Sequence, residues 1–479
     1  MQSAHLSPVT PASRKRVDIF CRVVDNYGDI GVCWRLARRL GDDLGWQVRL
    51  WVDELHSFAR LAPALDTSLA RQYLGTIEVV HWNEETLASI SLDTGHSAFI
   101  DSNRASHHST LIDSNRACFE PGDLVIEAFA CDPPAAFVAA MKVRPMPPVW
   151  INLEYLSAES WVASFHAQAS LRSDGLRKTF FFPGFGSDTG GLLREPGLLA
   201  IRDVVQHSPA SRLATLRAIG LPQVADAIEA ERFVQYGSTE DSTASRYTEA
   251  SKAPRLASLF CYPSIDLRAI FEALAQTGPW IVAIAHGVAV HAEAMAEEVN
   301  GGLTEPNASP PALHIERFGL LSQPDYDRLL WCADLNVVRG EDSFVRAQWA
   351  ARPMLWNIYP QEEGAHRVKL DAWLDACDCP AEVARVMQAM NPLIPISTDA
   401  GRPPLGAYAA SLTMDEALLN PGETSSGDSD LANRLTSALR APRWQAWQTQ
   451  ATEWSARLGE MSDLADNLIA HYALVANSR

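Results

Sequence analysis

Two acidic side chains four positions apart are the first residues in the chain whose types and spacing could do chemistry. Asp25 and Asp29 flank a tight turn that follows the apolar run Val17–Val24. A carboxylate at the edge of a cleft can accept a proton as a general base. The alternative interpretation is structural: Asp29 caps the next helix and Asp25 forms an Asx turn. Spacing alone does not decide between the two.

A second candidate site lies at Arg339–Ser343, where an apolar strand ends in a glycine and a helix begins at Asp342 or Ser343. Backbone N–H groups at a helix N-terminus attract phosphate, a serine hydroxyl adds a donor, and an arginine neutralises charge. The competing interpretation is that Asp342 or Ser343 only caps the first helical turn. The spacing slightly favours the cap.

Other chemistries lack their sequence signals. The glycine-rich segment Gly184–Gly191 does not have the G-x-G-x-x-G spacing and lies far from the first strand, so we interpret it as a loop lining the cleft. The chain has no P-loop, no G-x-S-x-G elbow, no H-E-x-x-H and no CxxC pair. Its 13 histidines are dispersed, so we expect no metal site built by the protein.

The overall charge and composition restrict partners and location. The chain carries 40 basic and 58 acidic residues, a net charge of −18, which disfavours nucleic acid and suits a basic partner. No run of about 18 apolar residues occurs, so we expect no membrane span. The eight cysteines are unpaired by spacing and no secretory signal is visible, so we expect a cytoplasmic protein with reduced thiols.

The candidate sites require elements that position them, and the chain offers two series of alternating strands and helices. Val17–Leu40 is a strand, a turn and an amphipathic helix, with Arg35, Arg38 and Arg39 in its last turns where they suit the helix dipole. Open α/β sheets bind ligands at the carboxyl ends of their strands, where both candidate sites lie. We therefore predict an α/β fold with two facing Rossmann-like domains and C-terminal helices.

Further strands are predicted from short apolar runs bounded by turn residues. They are Gln47–Val52, Thr76–Trp82, Asp123–Phe129, Pro148–Leu153, Leu256–Tyr262, Trp280–His286, Leu313–Leu320, Asp334–Arg339 and Met354–Tyr359.

Changes in composition along the chain predict its domain organisation. The predicted parts are a disordered tail at 1–16, an N-terminal domain at 17–205, a linker or insertion at 206–254, a C-terminal domain at 255–455, and a helix at 456–479 that packs back on the N-terminal domain. Two further segments, 87–121 with its repeated hexapeptide and 400–430, are predicted to be insertions.

Five segments, taken together, resemble the EarP family of protein-arginine rhamnosyltransferases. They span nearly the whole chain apart from its insertions. They are FCRVVDNYGDIGVCWRLARRL at Phe20–Leu40, WINLEYLSAESWV at Trp150–Val162, FFFPGF with TGGLLRE at Phe180–Glu195, SLFCY at Ser258–Tyr262, and RGEDSFVRAQWAARPMLWNIYPQEEGAHRVKL at Arg339–Leu370. The resemblance implies an inverting glycosyltransferase of the GT-B type that moves rhamnose from dTDP-β-L-rhamnose to an arginine of translation elongation factor P, without a metal ion or other cofactor.

The resemblance also implies roles for individual residues. Asp29 is the implied base and Asp25 an assisting carboxylate, in an N-terminal domain that binds the acceptor. The C-terminal domain is implied to bind the nucleotide sugar through Phe260, Tyr262, Gln323, Arg339, Glu341, Asp342 and Ser343. The surroundings of Gln323 match the family less closely than those of the other positions.

Physical chemistry is consistent with these roles. A guanidinium group has a pKa above about 12, so a base must accept its proton during attack. Our hypothesis is that Asp29 does so, while Arg339 and the helix N-terminus at Ser343 stabilise the departing diphosphate. Three alternatives stay open: a GT-B transferase with another nucleotide sugar or a small-molecule acceptor, a related two-domain epimerase, and a non-catalytic nucleotide-binding protein.

Overall fold

The structure is a computed structural model that describes residues 14–25, 27–83, 120–236, 253–303, 312–361, 364–393 and 428–479. Within these ranges the strands form two sheets, one of eight strands and one of five. Most of the predicted insertions at 87–121 and 400–430 and most of the predicted tail lie outside the described residues. No helix in the described ranges combines the length and the apolar character needed to cross a bilayer.

The first sheet belongs to the N-terminal half of the chain. Its strands are β1 Arg16–Cys21, β2 Gln47–Val52, β3 Arg71–Leu74, β4 Ile77–His81, β5 Leu124–Ala128, β6 Val149–Leu153, β7 Ala169–Leu171 and β8 Arg177–Phe181, in the order β3-β4-β2-β1-β5-β6-β8-β7. The pairs are parallel except at the two edges, β3-β4 and β7-β8. In the centre, Ile19 pairs with Leu50 of β2 and with Ile126 of β5, so β1 has a parallel strand along each edge.

The second sheet is parallel throughout. Its strands are β9 Arg255–Leu259, β10 Trp280–Ala285, β11 Leu313–Phe318, β12 Leu335–Arg339 and β13 Met354–Asn357, in the order β11-β10-β9-β12-β13. Strands β9, β10, β12 and β13 are mostly buried, as expected for a parallel sheet covered on both faces, whereas the edge strand β11 is buried only at Leu313 and Phe318.

Helices cover both sheets. In chain order they are α1 Gly28–Arg38, α2 Leu55–Leu61, α3 Ala135–Val143, α4 Val162–Phe165, α5 Leu198–His207, α6 Pro209–Ala218, α7 Pro222–Tyr236, α8 Leu267–Ala275, α9 Ala292–Leu303, α10 Gln323–Cys332, α11 Asp342–Ala350, α12 Ala365–Ala376, α13 Ala381–Met390, α14 Asp428–Ala438, α15 Arg443–Gly459 and α16 Leu464–Asn477. A π-helical turn, Arg39–Asp43, extends α1.

Helix α1 forms because its apolar residues recur at helical spacing and bury one face against the first sheet. Ile30, Cys33 and Leu36 are fully buried there. Asp29 lies in the first turn and Arg35 in the last, which suits the helix dipole. This helix carries the predicted base at its start and faces the second domain along one side.

The described part of the predicted linker differs from the expectation. The sequence predicts a linker over 206–254, but most of 206–236 lies in α5, α6 and α7. Leu213, Leu216 and Leu221 are buried in the core that surrounds the second sheet. The Ala-rich and Ser-rich composition resembled a linker, whereas the leucines at helical spacing form a packed face. Residues 237–252 are outside the described ranges.

Two other predicted domain boundaries differ slightly from those in the structure. Arg16, predicted to belong to the tail, begins β1, where its backbone N–H donates to Asp123 at 3.0 Å. At the other end, α15 packs on the second core through Trp447 and Trp454, whereas α16 packs on the first core through Leu464 and Leu468. The chain therefore returns to the N-terminal domain between residues 459 and 464.

Candidate active site

The carboxyl edges of the two sheets meet at a contact between Asp25 and Tyr262. Asp25 follows β1 and Tyr262 follows β9. The hydroxyl of Tyr262 donates a hydrogen bond to Asp25 Oδ2 at 2.8 Å. The turn after the first strand of one domain therefore touches the turn after the first strand of the other, as expected for ligand-binding edges of two facing sheets.

Asp29 lies deeper than Asp25, with 2% of its surface exposed. Its Oδ2 accepts hydrogen bonds from the backbone N–H groups of Val24 and Asp25, at 2.8 and 2.9 Å. Its Oδ1 accepts from the hydroxyl of Tyr155 at 3.2 Å. The prediction that Asp29 caps the helix is wrong, because Tyr27 occupies the N-cap position of α1 and Asp29 lies inside the first helical turn. Asp29 instead binds the backbone of the preceding turn. Its role as base stays a prediction.

Burial raises the pKa of both carboxyls. For Asp25 this rise is opposed by the positive charge of Arg339 and by the Tyr262 hydroxyl. For Asp29 it is opposed by the two backbone N–H donors, while the nearby charge of Asp25 adds to it. A carboxylate with a raised pKa is a stronger proton acceptor, which suits a general base.

Arg339 places a positive charge beside this carboxylate pair. Its guanidinium carbon lies 4.4 Å from the ring centroid of Phe260, 4.7 Å from that of Tyr262 and 5.8 Å from that of Tyr27. Among the described residues Arg339 forms no ion pair, so aromatic rings orient the cation while its charge stays available. An anionic ligand is the natural partner for such a group.

The helix N-terminus next to Arg339 is not capped by a side chain. Glu341 occupies the N-cap position of α11 and makes no capping hydrogen bond. The hydroxyl of Ser343 donates to the backbone oxygen of Arg339 and accepts from its N–H at 3.2 Å. Asp342 points toward α1 instead. Neither Asp342 nor Ser343 therefore provides the predicted cap, and the end of the helix resembles an anion-binding terminus.

Glu341 turns away from the helix and toward the first domain. Its Oε2 accepts from the backbone N–H of Leu156 at 3.0 Å and lies 3.8 Å from Lys369 Nζ. Burial raises the pKa of Glu341 to about 7, although Lys369 and the Leu156 N–H oppose the rise. Glu341 therefore titrates near neutral pH.

Two further predicted donor-site residues contact the first domain. Asp342 accepts hydrogen bonds from Arg35 Nε at 2.9 and 3.2 Å. The side-chain amide of Gln323 donates to the backbone oxygen of Gly31 at 3.1 Å and lies 3.4 Å from Asp342 Oδ2. Burial raises the pKa of Asp342 and Arg35 opposes the rise. Five of the nine predicted residues take part in hydrogen bonds between the domains: Asp25, Tyr262, Gln323, Glu341 and Asp342. Phe260 and Arg339 pack on Tyr27 of the first domain, whereas the hydrogen bonds of Asp29 and Ser343 stay within their own domains.

Comparison with known proteins identifies the family. The profile of the family described as elongation factor P (EF-P) rhamnosyltransferase EarP matches residues 17–473. A protein-arginine rhamnosyltransferase of Pseudomonas putida is 38% identical over 468 residues, covering 95% of this chain and 98% of the relative. One of Pseudomonas aeruginosa is 36% identical over 459 residues, with the same coverage. This chain belongs to the EarP family.

A solved structure supports the same assignment. It is described as the structural basis for EarP-mediated arginine glycosylation of translation elongation factor EF-P, and it is 27% identical with a TM-score of 0.50, covering 96% of this chain and 99% of that one. The predictions of an EarP-family rhamnosyltransferase enzyme and of a GT-B fold are confirmed. The roles of individual residues stay predictions.

Sequence reasoning missed several residues of this EarP site. Tyr155 contacts Asp29, stacks on Phe129 with ring centroids 4.3 Å apart, and lies 5.6 Å from Lys369 Nζ. A signal was present, because Tyr155 follows β6 at the edge where ligands bind and lies in the quoted segment Trp150–Val162. Tyr27 and Lys369 also lie in quoted segments, Phe20–Leu40 and Arg339–Leu370. Tyr326, whose ring centroid lies 6.1 Å from that of Phe260, lies outside all five segments.

In the described ranges no group of three or more His, Cys, Asp or Glu side chains is arranged to hold a metal ion.

Proposed function

We propose that this chain transfers L-rhamnose from dTDP-β-L-rhamnose to an arginine side chain of translation elongation factor P, with inversion at the anomeric carbon. The observation that carries the proposal is the contact of Tyr262 with Asp25, which joins the carboxylate pair of one domain to Arg339 of the other. A base for a guanidinium and a cation for a diphosphate thereby lie in one cleft. The names of the relatives at 36 and 38% identity agree with this chemistry.

In the proposed reaction, a nitrogen of the acceptor guanidinium attacks the anomeric carbon of the donor. The carbon–nitrogen bond forms as the bond from that carbon to the diphosphate oxygen breaks, and Asp29 accepts the proton that the nitrogen loses. Attack from the face opposite the leaving group inverts the configuration. Asp25 lies beside Arg339, whose charge opposes the rise in the Asp25 pKa that burial causes, and it assists by attracting the positive acceptor group. The Tyr155 hydroxyl orients Asp29.

The departing dTDP carries the developing negative charge. Arg339 and the uncapped N-terminus of α11 are placed to bind the diphosphate. Phe260 and Tyr262 hold the guanidinium of Arg339 and border the same site. The proposal therefore needs no metal ion and no cofactor beyond the donor substrate. A translation factor as the acceptor places the reaction in the cytoplasm, and the net charge of −18 favours a basic acceptor surface.

The test is the intact mass of elongation factor P after incubation with enzyme and dTDP-β-L-rhamnose. The expected result is the gain of one deoxyhexose, lost when the acceptor arginine is replaced by lysine. Asp29→Asn should abolish transfer while dTDP still binds, as measured by calorimetry. NMR of the product should show an inverted anomeric configuration. No mass gain with the wild-type enzyme would refute the proposed substrates, and normal turnover by Asp29→Asn would refute its role as base.

A further inference from the structure

A cluster of charged side chains, largely buried except for the 36%-exposed Glu195, lies between the domains. It contains two arginines and three carboxylates, which belong to both halves of the chain. The members are Arg35, Arg346, Glu195, Asp327 and Asp342. The roles implied for the reaction use Asp342 alone among these five residues.

We infer that Arg35 is a positioning residue for the donor site. Through Asp342 it holds the first turn of α11, and with that turn Arg339, in the orientation that binds the diphosphate of the donor. The inference rests on the proposed function for the identity of the donor. Arg35 touches neither the donor nor the acceptor in this scheme, so it acts only through the residue it binds.

The guanidinium of Arg35 is bound to carboxylates on every side. Its Nε donates to Asp342 at 2.9 Å, and its two terminal nitrogens donate to Asp327 at 3.0 Å each. One of them also donates to Glu195 at 3.3 Å. The Arg35 side chain is 4% exposed. Such a bidentate, desolvated arrangement fixes the side chain in one orientation.

Asp327 and Glu195 anchor Arg35 on the side away from the donor turn. Both carboxylates are shared with Arg346 of α11, which lies 2.7 Å from Asp327 and 2.7 Å from Glu195. Helix α11 is therefore held at two points, directly through Arg346 and through Asp342 at its first residue. The second point is bound by α1 directly, whereas the first is linked to α1 only through the carboxylates that Arg346 shares with Arg35.

A close approach of the two helices supports the same role. A Cβ atom built on Gly31 would lie 3.2 Å from Asp342 Oδ2, so the side chain of Asp342 packs directly on α1. The amide of Gln323 bridges the Gly31 backbone oxygen and Asp342 at the same place. Helix α1 carries Asp29 in its first turn and contacts the start of α11 through Gly31 and Arg35 further along the same helix. One helix thus supports both the proposed base and the donor-binding turn.

Arg39 provides a matched control on the next turn. Its side chain is 7% exposed and donates to Asp463 at 2.8 Å and Asp466 at 3.1 Å, far along the chain and away from α11. Arg35→Met and Arg39→Met each remove one buried arginine that is paired with carboxylates. A general loss of stability would affect both variants, whereas a loss of donor positioning would affect Arg35→Met alone.

The experiment measures the dissociation constant of dTDP by calorimetry and the KM for donor and acceptor in steady-state kinetics. Arg35→Met should raise the dTDP dissociation constant and the donor KM by about tenfold or more, with a much smaller change in the acceptor KM. Arg35→Lys should recover part of the affinity, because an ammonium can pair with only some of these carboxylates. Arg39→Met should bind dTDP like the wild type.

Asp342→Asn completes the test as a double-mutant cycle. If Arg35 acts through Asp342, the double variant should lose no more dTDP affinity than the weaker-binding single variant. Arg35→Met leaves the Asp342 carboxylate without its arginine partner, and the double variant replaces that carboxylate with an amide. The double variant can therefore be measured if Arg35→Met does not fold. Wild-type dTDP affinity in Arg35→Met, or multiplied losses in the double variant, would overturn the inference. If the wild type binds dTDP without transferring rhamnose, the proposed function fails while the positioning role is still measured.

Discussion

Glu341 is the carboxyl group whose titration makes the sharpest prediction about stability. Its side chain is 14% exposed, and burial raises its pKa from 4.5 to about 7 against the opposing charge of Lys369. An acid with a raised pKa binds more protons in the folded state than in the unfolded state. The stability it contributes is therefore fully present below pH 4.5 and is lost as the pH rises through about 7.

The magnitude follows from the difference between the two pKa values. A difference of about 2.5 units corresponds to roughly 3 kcal/mol of unfolding free energy. Glu341→Gln cannot ionise and so avoids this loss. The unfolding free energy of the variant minus that of the wild type should therefore rise by up to roughly 3 kcal/mol between pH 4 and pH 8.

The assay is urea unfolding followed by tryptophan fluorescence, at constant ionic strength across that pH range. Glu195→Gln is the control of opposite sign: burial opposes ionisation there too, but Arg346 and Arg35 prevail and lower the pKa of Glu195 to about 2. Its stabilising effect is present above pH 4.5, so Glu195→Gln should be less stable than the wild type by a constant amount from pH 5 to pH 8. A flat difference for Glu341→Gln over the same range would refute the reasoning about its burial.

Three further outcomes are expected. Tyr155→Phe removes a hydrogen bond to Asp29, so kcat should fall about tenfold with an unchanged donor KM. Because that hydrogen bond lowers the pKa of Asp29, the low-pH limb of the pH–rate profile, where the base loses its proton, should move to higher pH. Gly340 has a φ of +58°, and a Cβ atom added there would lie 2.9 Å from Asp25 Oδ2, so Gly340→Ala should strain the turn and weaken dTDP binding in calorimetry. Gly220→Ala is the control: it has a φ of +87° but open space around it, and dTDP binding should be unchanged. Arg339→Ala should weaken dTDP binding by roughly tenfold to a hundredfold in the same assay.

The central strands could be predicted from the sequence because each is an apolar run buried on both faces. Thus Gln47–Val52 was predicted with the bounds that the structure has. The edge strands β3 and β7 were missed, since they are three or four residues long and largely exposed, with little apolar pattern. Short edge strands depend on their neighbours for pairing, which a local pattern does not record.

The candidate site divides in the same way. Turn residues and a helix start in the sequence predicted that Asp25, Asp29 and Arg339 belong to the site, because the chemistry of each is local to one segment. Arg35 was interpreted as a residue that suits a helix dipole, whereas it binds Asp342, 307 residues away. Helical periodicity places a side chain on a face, and only the tertiary structure shows what that face meets.

Helix α16 has a consequence for how the protein is made. It closes the core of the N-terminal domain through Leu464 and Leu468, and Asp463 just before it pairs with Arg39, 424 residues earlier. Proteins are synthesised from the N-terminus, and α16 is made after the second domain. The domain that carries Asp29 therefore cannot complete its core while the second domain is still being synthesised. The enzyme therefore becomes competent only after nearly all of its chain has emerged, and deleting α16 would damage the domain that was synthesised first.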